Sequence, residues 1–331
     1  MASTVKASVI LVVLASTLTF GQNAPAPAPP SFVTGVGNFS HIVANIDKSL
    51  EFYRDAIGLT PGASAAFSPN PSIMKLGNTP GAQSRFMALS VPGSAIGVEL
   101  IEYKDIDRNP ARPRFQDPGA ANLILRVRDL DSVLERAKKA GAKVLTTSGV
   151  PTPFGNGGKV IFIQDPDGFV IELSQAAPQA AGAAQPAGNI LGGGFELAIQ
   201  DTAKTVAFYQ SIFGFQVTAG TTFNADKTMN DTAGVPGGAF KQSRGTIPGT
   251  MANIVFIEFA NVDRKALKTR VQDPGTAILQ LMVRDMDGVM KVLKANNANI
   301  ISTGGEPVSL GAGKLVIVRD PNNLYLELIQ R

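Results

Sequence analysis

Cysteine and tryptophan are absent from this 331-residue chain, and histidine occurs once, at position 41. The missing cysteines exclude structural disulfides, thiolate nucleophiles, sulfur-ligated zinc and any lipid anchor attached through sulfur. The single imidazole excludes, within one protomer, any iron centre built on two histidines and a carboxylate. Charge is sparse as well: 17% of residues are charged, the net charge is +4, and the lysines and arginines are scattered. No basic run is interleaved with aromatics, so nucleic acid is not an expected partner. What remains is a globular proportion of apolar residues, 44%, over a length that suits about two ordinary domains.

The first residues, MASTVKASVILVVLASTLTFGQ, place Lys6 before a largely apolar run from Ala7 to Phe20 and then small residues. The run is short for a membrane span, and its charge–apolar–small order reads as a secretory signal over residues 1–21. A buried N-terminal helix is the competing reading. NAPAPAPP follows as a stiff Pro/Ala-rich spacer over residues 22–31, with nothing to build a core. The expectation is a periplasmic or secreted protein with no membrane contact after signal cleavage.

The chain repeats itself at an offset near 156 residues. SLEFYRDAIGL meets TVAFYQSIFGF, FQDPGAANLILRVRDLDSV meets VQDPGTAILQLMVRDMDGV, and VIFIQDPDGFVIELSQ meets LVIVRDPNNLYLELIQ. An Ala/Pro/Gly/Gln linker, residues 177–189, separates domain 1 (32–176) from domain 2 (190–331). Each domain repeats again as strand, helix and about three strands. Asp129 is a natural N-cap, Leu130, Val133, Leu134 and Ala137 make one apolar face, and Gly141 suits the left-handed C-terminal position. Asp285 to Asn297 repeats that pattern, with Asn in the place of Gly.

A tandem βαβββ unit carrying FYRDAIGL, VRDLDSV and DPDGFVIEL resembles the vicinal oxygen chelate superfamily. Glyoxalase I, bleomycin-resistance proteins, fosfomycin-resistance enzymes and extradiol dioxygenases belong to it. The resemblance covers nearly all of the chain after the signal and spacer. It implies an α+β fold: four βαβββ modules pair into two cupped, eight-stranded mixed sheets, one per domain. Helices lie outside each cup and the site inside.

Strand periodicity reaches the same faces independently. In GFVIELSQ, Glu172 opposes the apolar face of Phe169, Ile171 and Leu173, and in IGVELIEY, Glu99 shares a face with Ile101 and Tyr103. Glu258 in VFIEFA and Glu327 in LYLELIQ are expected to repeat the arrangement. Two carboxylate pairs, Glu99 with Glu172 and Glu258 with Glu327, are therefore expected in apolar cups, where an unpaired carboxylate is costly. A solvated sheet face is the alternative.

The resemblance makes Glu99 and Glu172 metal ligands and catalytic groups. It also puts a His or Gln seven residues before the residue that opens each helix. Counting back from Asn45 and Asp129 gives Asn38 and Asn122; in domain 2 the positions fall on Gly194 and Ile278, which have no ligating side chain. Ser40 shares the face of Asn38. His41 faces the helices unless a β-bulge turns it into the cup as a ligand. An all-oxygen set suits Mn or Mg better than Zn, Ni or Fe. If an ion is held, one divalent metal in domain 1 would support a lyase or isomerase of glyoxalase type acting on a carbonyl substrate. An extradiol dioxygenase is disfavoured by the single histidine. The alternative function is non-catalytic binding or sequestration of a small molecule, as in bleomycin resistance. Domain 2 is expected to hold a degenerate site, and a homodimer is an allowed assembly. Residues 65–83 are long enough to lid a cup. Arg114 and Arg270, each before QDPG, are expected to pair with acids at the module crossovers.

Overall fold

The structure, a computed structural model, describes residues 31–155, 157–177 and 188–331. The expected signal and nearly all of the spacer lie outside those residues, as does most of the linker.

Four modules follow in chain order. Module 1 holds β1 (Val33–Ile42), helix α1 (Ile46–Leu50), β2 (Thr60–Pro61), helix α2 (Pro71–Gly77), β3 (Gln83–Ser90) and β4 (Val98–Lys104). A π-helical turn over Glu51–Ile57 continues α1. Module 2 holds β5 (Ala121–Val127), α3 (Leu130–Lys139), β6 (Lys143–Val144), β7 (Thr152–Phe154), β8 (Gly158–Gln164) and β9 (Val170–Gln175). Module 3 holds β10 (Ile190–Ile199), α4 (Thr202–Phe213), β11 (Gln216–Thr218), α5 (Lys227–Thr232), β12 (Ala239–Thr246) and β13 (Asn253–Ala260). Module 4 holds β14 (Ala277–Val283), α6 (Met286–Ala295), β15 (Asn299–Ile300), β16 (Val308–Leu310), β17 (Gly313–Arg319) and β18 (Tyr325–Gln330).

Local chemistry starts and stops the main helices. Asn45, Asp129, Asp201 and Asp285 each accept a backbone N–H of the first turn, of Lys48, Ser132, Lys204 and Gly288 respectively. Gly141 and Asn297 both adopt positive φ, 93° and 50°, just past α3 and α6. The Gly-to-Asn exchange therefore preserves one backbone conformation.

Each sheet is mixed and has nine strands. Eight lie on the expected path, and β7 or β16 adds a short hairpin strand beside it. What the repeats did not indicate is which modules share a sheet. Module 1 pairs with module 4 through antiparallel β1 and β14, and module 2 pairs with module 3 through β5 and β10. The expectation of one cup per sequential half is corrected: each sheet takes one module from each half. Repeat similarity marks ancestry, whereas sheet partners are chosen by which strand edges meet.

Apolar alternation then sorts the faces. Phe39, Leu123, Phe195 and Leu279 point to the helix side of their strands, where both sheets and the main helices share one core. Phe39 of β1 and Phe195 of β10 stack across the two sheets with centroids 4.0 Å apart. The concave faces carry separate clusters. One includes Ile42, Ile101, Ile278 and Ile329; the other is rich in aromatics, with Phe115, Phe162, Phe240 and Phe259.

The FY and DP motifs tie modules 1 to 2 and 3 to 4 through this shared core. Tyr53 donates its hydroxyl to Asp165 at 2.8 Å, and Tyr209 donates to Asp320 at 3.2 Å. Asp165 also accepts from the backbone N–H of Asp167 and Phe169, and Asp320 from those of Asn322 and Leu324. At the crossovers, Arg114 pairs with Asp117 and Asp263, and Arg270 with Asp273 and Asp107. The bonds to Asp263 and Asp107 link the halves reciprocally, but such exposed pairs contribute only about 0–1 kcal/mol each.

Candidate functional site

The cup of modules 1 and 4 contains a cavity of about 510 Å³. Its wall is mostly apolar, with Leu76, Phe86, Ile101, Ile278 and Leu315, while Asn38, Glu99, Tyr103, Gln280 and Glu327 supply the polar lining. This size and balance are typical of small-molecule sites. Helix α2, inside the stretch expected to lid a cup, contributes Ile73, Leu76 and Gly77.

Strand pairing positions the polar groups. Ser40 lies beside Glu99 in the parallel β1–β4 ladder and donates its hydroxyl to Glu99 Oε2 at 2.8 Å. Gln280 lies beside Glu327 in the β14–β18 ladder. Its Nε2 donates to Glu99 Oε2 and to Glu327 Oε2, both at 3.0 Å. Its Oε1 accepts the Asn38 backbone N–H at 2.9 Å, which fixes which end of the amide faces the carboxylates. Two glycines make room: a Cβ on Gly37 would lie 2.7 Å from Gln280 Oε1, and one on Gly97 would lie 2.6 Å from Asn38 Oδ1.

Burial, then the charge of Glu99, pushes Glu327 up to about 8. Burial also raises Glu99, against the opposing pull of the Ser40 and Gln280 hydrogen bonds. A carboxyl raised in the folded state contributes most stability below its ordinary value near 4.5 and loses it as pH climbs through the folded value. Glu327→Gln is therefore expected to flatten the fall in melting temperature between pH 5 and pH 8, and to leave the variant the more stable protein at pH 8. Parallel profiles in thermal denaturation would contradict this placement of the proton.

The sequence-predicted residues divide between the cups. Asn38, Ser40, Glu99, Ile101, Tyr103 and Glu327 come together in this one. Glu172 and Asn122 lie in the other sheet, so the expected Glu99–Glu172 pair is not formed. Nor is Glu258 with Glu327. In the parallel ladders Glu258 stands beside Ile199, the position that Glu102 holds one step past Ile42 and Ile101. Both cap a helix start: Glu102 accepts the Ile46 N–H and binds Arg85, and Glu258 accepts the Thr202 N–H and binds Lys241. Burial acts to raise Glu258, but Thr202 and Lys241 outweigh it and hold the group below the usual range. The two QSR motifs are likewise not equivalent, because Lys241, not Arg244, occupies the register of Arg85.

His41 points away from the cup. It stacks on Phe169 at 4.4 Å and its Nε2 lies 3.0 Å from Asp165 Oδ2, fully buried on the helix side. Asp167 lies close by, within reach of a shared ion together with His41 and Asp165. Asp167 is already engaged, accepting from the Ala44 N–H and the Ser49 hydroxyl.

In the cup of modules 2 and 3, Glu172 faces Glu196, which stands where Ser40 stands in the first. Glu196 accepts from Asn122 Nδ2 at 2.9 Å and Gln242 Nε2 at 3.1 Å. Burial and then Glu196 push Glu172 up to about 8. Glu196 and Gln280 were missed by sequence reasoning. The constant offset held the first signal, since it carries Ser40 onto Glu196. Gln280 falls on Ile124 in the other copy and left no repeat to notice.

A resident divalent metal does not fit the cup of modules 1 and 4: no imidazole faces it, Ile278 occupies one ligand position implied by the resemblance, and an N–H donor is locked between Glu99 and Glu327.

The family model described as Glyoxalase/Bleomycin resistance protein/Dioxygenase superfamily matches residues 35–173 and again 193–328. Among solved structures, glyoxalase I from Zea mays is 16% identical, with a TM-score of 0.56 and coverage of 91% of this chain and 92% of that one. A putative dioxygenase from Bacillus subtilis is 14% identical, with a TM-score of 0.54 and coverage of 91% and 86%. At such identities the likeness is one of fold. No match was found among curated proteins.

Proposed function

Because the chain belongs to the glyoxalase/bleomycin resistance protein/dioxygenase superfamily, we propose that it binds a small molecule in the cup of modules 1 and 4 without a resident metal. One observation carries the reading: an apolar cavity of about 510 Å³ whose two carboxylates are bridged by a glutamine amide. Those carboxylates come from opposite halves of the chain, so the ligand contacts both. Export, expected from residues 1–21, belongs to the same proposal and rests on the sequence.

Ala312 lies exposed at the cavity lining, where a large side chain can plug the mouth without overpacking the core. Ala312→Trp is expected to fold normally. In a thermal-shift screen, compounds that raise the wild-type melting temperature should leave this variant unmoved. At a hundred times Kd a ligand adds about 2.7 kcal/mol. Hits that stabilise both proteins equally would place the site elsewhere.

The unequal carboxylates favour a second, catalytic reading, a metal-free counterpart of the carbonyl isomerase implied by resemblance. Ionised Glu99 would take a proton from the carbon beside a carbonyl while Glu327 gives its proton to the carbonyl oxygen. Return of the first proton to the former carbonyl carbon, and of the hydroxyl proton of the neighbouring carbon to Glu327, would complete the isomerisation. Deuterium incorporation into a hydroxyketone probe, lost in Glu99→Gln, would support it. No incorporation above buffer would leave binding as the function.

A further inference from the structure

The hydrogen bonds inside this cup leave a particular set of acceptors unused. Both donors to Glu99, Ser40 and Gln280, bond to Oε2, and the one donor to Glu327 also bonds to Oε2. Oε1 of each carboxylate has no partner among the described residues. The Tyr103 hydroxyl has none either, although the residue is only 3% exposed and lines the cavity. A phenol this deeply buried ordinarily finds a partner. Its nearness to the carboxylates is visible electrically: burial, then Glu327 and Glu99, pushes the phenol up. Three oxygen acceptors thus meet at one end of an apolar cavity.

No cation pairs with either carboxylate among the described residues, and Glu327 keeps a proton in the free protein. Tyr103 from β4 and Tyr325 from the Glu327 strand are titratable neighbours, the β14 neighbour Gln280 is neutral, and Arg319 of β17 is held by the Tyr325 ring and hydroxyl and the Thr269 carbonyl. Arg331 is the cationic residue of the lining, but it is exposed and four residues beyond Glu327, roughly 13 Å along the strand. A buried carboxylate with no counter-charge is costly, and a ligand that brings a positive charge removes that cost.

We propose that the cup takes a primary organic ammonium ion, its three N–H groups directed to Glu99 Oε1, Glu327 Oε1 and the Tyr103 hydroxyl. The ammonium group has three donors and no acceptor, which matches the three acceptors; the donors beside them are the phenol hydrogen, the Asn38 side-chain amide and the proton that Glu327 holds in the free protein and gives up to a cation. Its apolar body lies over Leu76, Phe86, Leu315 and Ile329 toward the mouth. Gln280 stays in place, since it occupies only the Oε2 atoms. The assignment rests on the cup being the ligand site.

The test is isothermal titration calorimetry on the full chain at pH 7 with three probes of similar length: n-hexylammonium, 1-heptanol and hexanoate. Hexylammonium is expected to bind at least about tenfold more tightly than heptanol, and hexanoate more weakly than either. Tyr103→Phe removes a single hydroxyl and preserves shape. It should weaken hexylammonium about tenfold and leave heptanol unchanged; Glu327→Gln should do the same. Heptanol binding as tightly as hexylammonium, or an ammonium affinity untouched by both substitutions, overturns the ammonium assignment. In that event heptanol binding abolished by Ala312→Trp still upholds the cup as the site. Failure of all three probes to bind overturns both.

Discussion

Replacing Asp165 by alanine is expected to destabilise the protein by about 3–5 kcal/mol, the range for removing one partner of a buried charged network. The carboxylate accepts from the Tyr53 hydroxyl, His41 Nε2 and the N–H groups of Asp167 and Phe169, all between 2.7 and 3.0 Å. Tyr53 and His41 are fully buried, so water cannot replace it. Asp320→Ala should cost less. It accepts a longer bond from Tyr209, 3.2 Å, and Leu197 stands where His41 stands, so no imidazole is stranded. Chemical denaturation of both variants measures the difference.

The cost at Asp165 should also depend on pH. Burial lowers the affinity of His41 for its proton, but the charge and hydrogen bond of Asp165, with Asp167, outweigh that and raise it above 6.5. A raised histidine contributes its stability below the unfolded value and loses it as pH climbs through the folded one. The Asp165→Ala penalty should therefore be larger at pH 6 than at pH 9. An equal penalty would mean that the imidazole is neutral throughout and the bond is not an ion pair.

Ending the chain at residue 176 should be the most disruptive change of all. Modules 1 and 2 would keep the Tyr53–Asp165 bond and the contact between the Glu51–Ile57 turn and α3. They would lose the partners of β1 and β5, because β14 and β10 both lie in the other half. One inner strand of each sheet would become a bare edge with an apolar face, which templates association. The half-chain is expected to form dimers or larger species by light scattering, with no cooperative unfolding as a monomer. A monomeric half that melts in one sharp transition would contradict the division of sheets between halves.

Much of this architecture was legible in the residues, for reasons that differ by level. Helix starts were readable because Asn45, Asp129 and Asp285 act on their own first turn, a few residues away. Cup-facing residues were readable because a strand alternates with a period of two, which put Glu99, Ile101 and Tyr103 on one side and His41 on the other. Pairing between modules was not readable. A βαβββ unit presents the same edge to any other unit, and nothing local in β1 distinguishes β5 from β14. The misplacement of Glu258 had a different cause. Matching it to Glu99 compares Glu with Glu across an offset of 159, whereas the rest of the repeat runs near 156 and matches it to Glu102. The shared motif IE(Y/F), followed by DR, held the correction in plain sight. Gln280 could be placed only once β14 was known to stand beside β1.

The junction of β1 with β14 also bears on how the protein is made. Phe39 lies opposite Leu279, about 240 residues later in the chain. A ribosome working at about 5–20 residues per second releases the first of these strands some ten seconds or more before the second. Through that interval the nascent module 1 holds an open apolar edge, while modules 2 and 3 can already close their own sheet behind it. The nested order, inner sheet first and outer sheet last, suits sequential release: the waiting strand is sealed by the final module to emerge, and the cavity comes into existence only when the last strand, carrying Glu327, is laid down.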